Sequence, residues 1–122
     1  MSGLTSRRVL VVEDEAIIAL MIVEWLSEMG CEALGPAARL ADGFALAQTE
    51  PLDAAVLDVN VNSERVYPLA DYLRGRGIPL VFATGYGDSV AEDAVNAPVL
   101  EKPFTYDQLA RALAMALDAA AP

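Results

Sequence analysis

Four short apolar runs in this sequence each end at residues whose side chains can take part in phosphoryl or metal chemistry. In chain order, these residues are Glu13 and Asp14, Asp58, Thr84, and Lys102. Open parallel sheets bind ligands at the carboxyl ends of their strands, so four such strands would bring the groups to one edge. Three carboxylates in a partly desolvated cleft repel one another, and Mg²⁺, which prefers carboxylate, water and phosphate oxygens, removes that conflict.

Asp58 is the candidate nucleophile of this set. An aspartate carboxylate can attack phosphorus and form an aspartyl phosphate. A divalent cation, the Lys102 ammonium and the Thr84 hydroxyl would then offset the charge on the group in transfer. Each residue alone has an ordinary explanation, as a helix cap, a turn residue or a surface lysine. Their joint placement at the ends of successive strands predicts phosphoryl transfer to Asp58.

The alternation of short apolar runs with longer amphipathic stretches indicates the elements that position this set. We expect strands over residues 9–12, 31–34, 54–57, 80–83 and 99–100. We expect helices over residues 15–29, 40–48, 67–74, 88–94 and 105–119, the last one capped by Thr105. Apolar strands joined by helical crossovers predict an α/β fold, a flavodoxin-like (βα)5 doubly wound parallel sheet with strand order 2-1-3-4-5.

Length, charge and residue usage narrow the functional class. The 122 residues predict a single domain over 1–122, with its core over about 7–119. Eight basic residues against 18 acidic ones give a net charge of −10, which argues against binding to nucleic acid or to an anionic membrane surface. The absence of histidine, with Cys31 as the one cysteine, excludes a usual zinc site, histidine general-base catalysis and an internal disulfide.

No apolar run in the sequence is long enough to predict a membrane-spanning helix. The longest of them, residues 16–23, falls far below the length that spans a bilayer. The N-terminus lacks the basic and apolar regions of a signal peptide. We therefore expect a cytoplasmic protein.

The sequence resembles the receiver domains of two-component response regulators over nearly its whole length. The segments that carry the resemblance are VLVVED at 9–14, VLD at 56–58, FATG at 82–85 and EKPF at 101–104. The resemblance implies a phosphoprotein without an output domain, which is not an enzyme but assists transfer of a phosphoryl group to and from Asp58. The implied donor is a histidine kinase or a histidine phosphotransfer protein, and a downstream protein is a further candidate partner.

Site roles follow from the same resemblance, residue by residue. The implied Mg²⁺ ligands are Asp14 and Asp58 directly, Glu13 largely through water, and the backbone carbonyl of Asn60. The implied phosphoryl-binding residues are Thr84, Gly85 and Lys102. A cis peptide bond between Lys102 and Pro103 is implied as well.

The sequence departs from the common receiver pattern in two places. Residues 60–66 contain neither the proline nor the glycine that many receivers have after the phosphoacceptor, and Val99 stands where many have a switch aromatic. The stretch FATGY at 82–86 resembles the FAT GUY subgroup of single-domain regulators. Since Tyr86 stands two residues after Thr84, we predict that these two residues, rather than residue 99, form the switch.

The first predicted helix is apolar on two sides. One face is assigned to the core by its helical spacing: Ile18, Met21, Ile22, Trp25 and Met29. The opposite face, where a soluble helix is normally polar, carries Ala16, Ala19, Leu20 and Val23. Flanking loops could cover this second face, or its apolar residues could be exposed without a role, as scattered surface apolar residues commonly are. The alternative hypothesis is a partner surface for a kinase or a phosphotransfer helix bundle.

Three other interpretations differ in the chemistry they require. A haloacid-dehalogenase-like phosphatase has a motif similar to DVNV at 58–61, but it needs an acid at position 60 and a nucleophile after the first strand. A flavodoxin-like FMN module binds phosphate after the first strand, where the acidic residues 13–15 would repel it. A degenerate receiver that serves as a binding scaffold would not need the acidic set and Lys102.

Overall fold

The computed structural model describes residues 3–85 and 97–120. In chain order the elements are β1 (Arg8–Val12), α1 (Ala16–Glu28), β2 (Glu32–Ala37), α2 (Leu40–Thr49), β3 (Ala54–Asp58), β4 (Asn60–Val61), β5 (Glu64–Arg65), α3 (Tyr67–Gly75), β6 (Leu80–Thr84), β7 (Val99–Glu101) and α4 (Tyr106–Ala120). The helix expected at 88–94 and the predicted switch residue Tyr86 lie outside the described residues. Every other predicted helix and strand is present, with ends shifted by three residues or fewer.

Five parallel strands form the central sheet, in the order β2-β1-β3-β6-β7. This order confirms the predicted flavodoxin-like arrangement, because β6 and β7 take the places of the fourth and fifth strands. The short strands β4 and β5 pair with each other in a separate sheet. Apart from Arg8, every residue of β1, β3 and β6 is buried, as expected for a parallel sheet with helices on both faces.

The helices pack on both faces of this sheet. Because side chains alternate along a strand, Val9 and Val11 of β1 pack with α1 and α4, whereas Leu10 and Val12 pack with α2 and α3. Full burial of one such side chain stabilises the fold by roughly 1.5–3 kcal/mol. Of the helices in the described part of the chain, none is long and apolar enough to cross a membrane.

Burial along α1 corrects part of the sequence expectation. The buried stripe consists of Ala19, Ile22, Leu26 and Met29. Ile18, Met21 and Trp25, which were assigned to the core, are only partly buried. Ala19 was expected on the exposed face and is instead 4% exposed. The helix is apolar on most sides, so its periodicity could not fix which stripe turns toward the sheet.

β2 continues three residues beyond its predicted end, and this extension positions Glu13. Gly35 has a φ of +107°, and a Cβ atom there would lie 2.7 Å from the Val11 carbonyl oxygen, so glycine is required. Beyond this point the Glu13 N–H donates to the Ala37 carbonyl at 2.9 Å. The backbone of Glu13 is therefore fixed by the neighbouring strand.

Residues 60–65 form a β-hairpin where the sequence predicted no regular structure. β4 and β5 are antiparallel, with Val61 opposite Glu64. The two turn residues, Asn62 and Ser63, have φ of +51° and +69°. Positive φ at both positions is the signature of a type I′ turn, whose twist matches that of the flanking strands. Val61 is buried in the core beside α2 and α3, so the loop after β3 is a compact and anchored hairpin.

Candidate functional site

The buried polar side chains of the described residues gather at one edge of the sheet. They are Glu13, Asp58 and Thr84, which are 2%, 3% and 4% exposed. Glu13 follows β1, Asp58 ends β3 and Thr84 ends β6, and these three strands are neighbours. Burying ionisable groups costs free energy unless they are paired or bind an ion, so this edge is the candidate functional site.

Three carboxylates converge at this edge, as the sequence predicts. Glu13, Asp14 and Asp58 each offer one oxygen, and these oxygens lie within 4.8 Å of one another. Asp14 differs from the other two because it is exposed to solvent. A set of carboxylate oxygens is the ligand type that Mg²⁺ prefers.

Lys102 is the cation of this cluster. Its Nζ lies 3.0 Å from Glu13 Oε2, 3.2 Å from Glu15 Oε1 and 3.3 Å from Asp58 Oδ2. Glu13 Oε1 is also 3.0 Å from Nζ, yet it accepts no hydrogen bond. The Lys102 N–H donates to the Thr84 carbonyl at 2.8 Å and so continues the pairing of β7 with β6, which holds the lysine at the site.

Glu15 is a member of the site that sequence reasoning did not single out. Its carboxylate pairs with Lys102, and its N–H donates to Glu13 Oε2 at 3.1 Å. The acidic run at 13–15 was the available signal. The sequence could not show that residue 15, just before α1, faces the lysine at the end of β7.

Burial and neighbouring charges shift the pKa values of Asp58 and Lys102. Burial, followed by the charge of Glu13, raises the pKa of Asp58 to about 7, although Lys102 acts in the opposite direction. Burial lowers the pKa of Lys102, but the surrounding carboxylates, led by Glu13, outweigh it and raise that pKa above its ordinary value. Since the carboxylates outnumber Lys102, the set fits a divalent cation.

Asn60 turns its backbone toward Asp58. Its N–H donates to Asp58 Oδ1 at 3.3 Å. Just outside the hairpin strands, the Val66 N–H donates to the Val59 carbonyl. Asn60, opposite Arg65, therefore occupies a non-hydrogen-bonded position of the ladder. At such a position neither the N–H nor the C=O pairs with the opposite strand.

The hairpin turn contacts the third carboxylate directly. The Asn62 N–H donates to Asp14 Oδ2 at 2.7 Å, across 48 positions of sequence. This hydrogen bond therefore links the exposed side chain of Asp14 to the hairpin that follows β3.

Comparison with known proteins identifies the family that shares this arrangement. The family model of the response regulator receiver domain matches residues 9–114. The chain belongs to this family. The resemblance carried by the sequence motifs is thereby confirmed, and the Lys102-Pro103 peptide bond of this receiver is cis, as the resemblance implies.

Individual relatives agree with the assignment. The Transcriptional regulatory protein PdtaR of Mycobacterium tuberculosis is 33% identical over 116 residues, which are 91% of this receiver and 57% of PdtaR. The chain thus spans little more than half the length of that relative. The solution structure of SdrG from Sphingomonas melonis Fr1 is 43% identical, with a TM-score of 0.85 over 96% of this chain and 99% of SdrG. A BeF3-activated conformation of SdrG is 41% identical, with a TM-score of 0.77 over the same shares.

The two predicted phosphoryl-binding residues Thr84 and Gly85 lie at the same edge of the sheet. Thr84 is buried at the end of β6, and Gly85 follows it in a half-buried position. Both therefore stand at the carboxyl edge where Asp58 lies.

The predicted partner surface lines one cavity of the receiver. This cavity, of about 270 Å³, is lined by Glu13 and Asp14, by Pro36 and Ala38, and by residues of α1. The lining α1 residues are Ala16, Ala19, Leu20 and Val23. Leu20 is 59% exposed and Val23 is half-buried, so an apolar surface opens directly beside the carboxylates.

The raised pKa of Asp58 predicts that this residue destabilises the metal-free receiver at neutral and alkaline pH. An unfolded chain releases the proton near the ordinary pKa of 3.8, whereas the folded chain keeps it until about pH 7. Over that window the folded state binds more protons, so wild-type stability falls as the pH rises. Asp58→Asn should therefore raise the free energy of unfolding by on the order of 2 kcal/mol at about pH 8.

Urea unfolding in a chelating buffer measures this difference. The gain from the substitution should shrink as the pH falls and approach zero only well below the ordinary pKa of 3.8, where Asp58 is protonated in both the folded and the unfolded chain. Equal stability of the variant and the wild type at about pH 8 would show that burial and Glu13 do not disfavour the Asp58 carboxylate.

Proposed function

We propose that this receiver carries a phosphoryl group on Asp58, transferred with the help of Mg²⁺ from a histidine kinase or a histidine phosphotransfer protein. The observation that supports this most strongly is the burial of Asp58 and Glu13 beside Lys102, where three strands end. Buried charges that shift one another's pKa are typical of functional sites. A purely structural strand end has no need of them.

Mg²⁺ is the proposed cofactor. Its ligands would be Asp14 and Asp58, the Asn60 carbonyl and, largely through water, Glu13. The fit rests on carboxylate oxygens within 4.8 Å of one another and on a Glu13 oxygen that accepts no hydrogen bond. When bound, the metal would supply positive charge to the phosphoryl oxygens and to the Asp58 carboxylate.

The Asp58 carboxylate is the nucleophile in this proposal. One of its oxygens forms a bond to phosphorus while the bond from phosphorus to the donor's histidine nitrogen breaks, and that nitrogen keeps the electron pair. Lys102, which lies 3.3 Å from Asp58 Oδ2, would pair with a phosphoryl oxygen, and the Thr84 hydroxyl would donate to another. Gly85 lacks a Cβ atom and so would leave the phosphoryl group accessible.

The proposed output is a change in contacts with a downstream protein in the cytoplasm. SdrG, 41% identical to this receiver, has been solved in a BeF3-activated conformation. Beryllofluoride mimics a phosphoryl group on a carboxylate, so a response of this kind in a relative supports a switch here. Thr84 and Tyr86 are the residues that we propose to move.

A phosphatase of the haloacid dehalogenase type has less support. Asn60 stands where such an enzyme needs a second acid, and Asp58 ends β3 rather than the first strand. A scaffold without phosphoryl chemistry would not need two buried carboxylates beside Lys102.

Incubation with acetyl phosphate, followed by intact mass measurement, tests the proposal. The receiver should gain the mass of one phosphoryl group when Mg²⁺ is present, and chelation with EDTA should prevent this gain. Steady release of phosphate from small phosphate esters without an adduct would instead indicate a phosphatase. Neither an adduct nor turnover would indicate a scaffold.

The exposed face of α1 is the proposed docking surface for the donor. Leu20 and Val23 line the cavity that opens beside Glu13 and Asp14, so a helix bundle docked there would bring its phosphohistidine close to Asp58. Leu20→Glu combined with Val23→Glu should slow phosphotransfer from the cognate donor by about tenfold or more, because it buries two charges in an apolar contact. Labelling by acetyl phosphate needs no docking and should be unchanged.

Met115→Glu provides the matched control for this prediction. Met115 is 63% exposed on α4 and does not line the cavity beside the carboxylates, so a charge there should leave both rates intact. Unchanged phosphotransfer from the donor to the α1 variant would contradict the docking surface, whereas equal loss of donor and acetyl phosphate labelling would indicate a folding defect.

A further inference from the structure

We infer that Asn62, through its backbone N–H, is a positioning residue for the metal ligand Asp14, an inference that rests on the proposed function. The turn of the β4–β5 hairpin would hold the exposed Asp14 carboxylate in the orientation that Mg²⁺ binding requires. The hairpin, which replaces the proline- and glycine-containing loop of many receivers, thereby becomes part of the metal site.

The hydrogen bond that carries this inference is short. The distance from Asn62 N to Asp14 Oδ2 is 2.7 Å, whereas Lys102 Nζ lies 3.0–3.3 Å from its carboxylate partners. Bonds from an N–H to an ionised carboxylate are shorter and stronger than neutral ones. A carboxylate has two oxygens, so an amide that binds one of them restricts the side chain without preventing the other from meeting a cation.

The backbone conformation of the turn orients the Asn62 N–H toward Asp14. Asn62 and Ser63 have φ of +51° and +69°, a region that costs an ordinary L-residue roughly 1–2 kcal/mol and that asparagine tolerates best after glycine. A type I′ turn places both residues there, and the chain reverses beside Asp14. A residue that requires negative φ at position 62 would turn the N–H away.

The hairpin is anchored firmly enough to act as a support. Val61 and Val66, on either side of the turn, are each 0% exposed in the core beside α2 and α3. The Val66 N–H also donates to the Val59 carbonyl at 3.0 Å, which ties the base of the hairpin to the residue after β3. A ligand held by such an outer group is oriented before the metal arrives.

The same hairpin contacts a second carboxylate. Asn60 N–H donates to Asp58 Oδ1 at 3.3 Å, two residues before the turn that bonds Asp14. One anchored hairpin thus contacts both the proposed phosphoacceptor and the exposed Asp14. Its displacement would change the relative position of the two carboxylates.

Two substitutions at one position test the inference. Asn62→Pro removes the N–H and fixes φ near −65°, whereas Asn62→Gly keeps the N–H and accepts positive φ. Titration with Mg²⁺ alone, followed by amide chemical shifts, should show about tenfold weaker binding for the proline variant. The glycine variant should stay within about twofold of the wild type. In an Asp14→Asn background, the proline substitution should have no further effect on Mg²⁺ affinity, because the amide acts through Asp14.

The outcomes separate this inference from the proposed function. Wild-type binding of Mg²⁺ with equal affinities for the proline and glycine variants would overturn the positioning role of Asn62 and leave the metal site standing. A proline effect that persists in the Asp14→Asn background would also overturn it, since the hairpin would then act by another route. A wild-type receiver that binds no Mg²⁺ at millimolar concentration would contradict the metal site and the inference together.

Discussion

Asp14→Asn should weaken Mg²⁺ binding to this receiver by about tenfold or more, and Glu13→Gln should weaken it by a smaller factor. Both substitutions remove one negative charge at nearly constant side-chain volume. Asp14 is exposed and held by the Asn62 amide, so its carboxylate can be a direct ligand. Glu13 is buried and already bonded to Lys102 and to the Glu15 amide, so it acts on the cation at longer range.

A Mg²⁺ titration followed by amide chemical shifts compares the two dissociation constants. Asp118→Asn is the charge-matched control, because Asp118 is exposed on α4 and is not among the clustered carboxylates. It should leave the constant within about twofold, since salt screens distant surface charges. Equal weakening by both site variants, or an absence of shift changes near residues 13, 14 and 58, would contradict the ligand assignment.

The sheet and the polar residues at its carboxyl edge could be predicted because their signals are local. Each apolar run long enough to form a buried strand is followed at once by its polar residue, as in Ala54–Asp58 and Leu80–Thr84. Parallel topology then brings these strand ends together whatever the loops do. The reciprocal bonds between Thr105 and Gln108 likewise follow from residue types three positions apart, and they confirm the predicted start of α4.

The rotation of α1 could not be predicted, because its apolar residues surround most of the helix. Periodicity selected Ile18, Met21 and Trp25 for the core, whereas the sheet buries Ala19 and Leu26. The choice depends on which stripe fits the flat surface of β1 and β2, and small Ala19 permits a close approach. Tertiary packing, and not the local apolar pattern, therefore determines which face of α1 is buried.

The hairpin after Asp58 could not be predicted from the sequence for a different reason. Asn-Gly and Asp-Gly are the strong sequence signals for a type I′ turn, and this chain has Asn62-Ser63 instead. The flanking strands have only two residues each, which is too short for a visible alternation. The contact of Asn62 with Asp14 spans 48 positions, so no local signal could reveal that this turn reaches a proposed metal ligand.

Asp58→Asn should abolish phosphorylation by acetyl phosphate, which is the largest effect that we expect. The substitution removes the nucleophilic carboxylate but keeps a side chain of similar volume, whose one amide oxygen can still accept the Asn60 hydrogen bond. No neighbouring group should replace it, because Glu13 is engaged by Lys102 and by the Glu15 amide.

Intact mass measurement of the wild type and of Asp58→Asn, both incubated with Mg²⁺ and acetyl phosphate, tests whether Asp58 is the phosphoacceptor. Asp118→Asn serves as the control that loses an exposed carboxylate outside the site, and it should be labelled like the wild type. We expect one phosphoryl group on the wild type and on the control, and none on Asp58→Asn. An adduct of the same yield on Asp58→Asn would contradict the assignment of Asp58 as the phosphoacceptor.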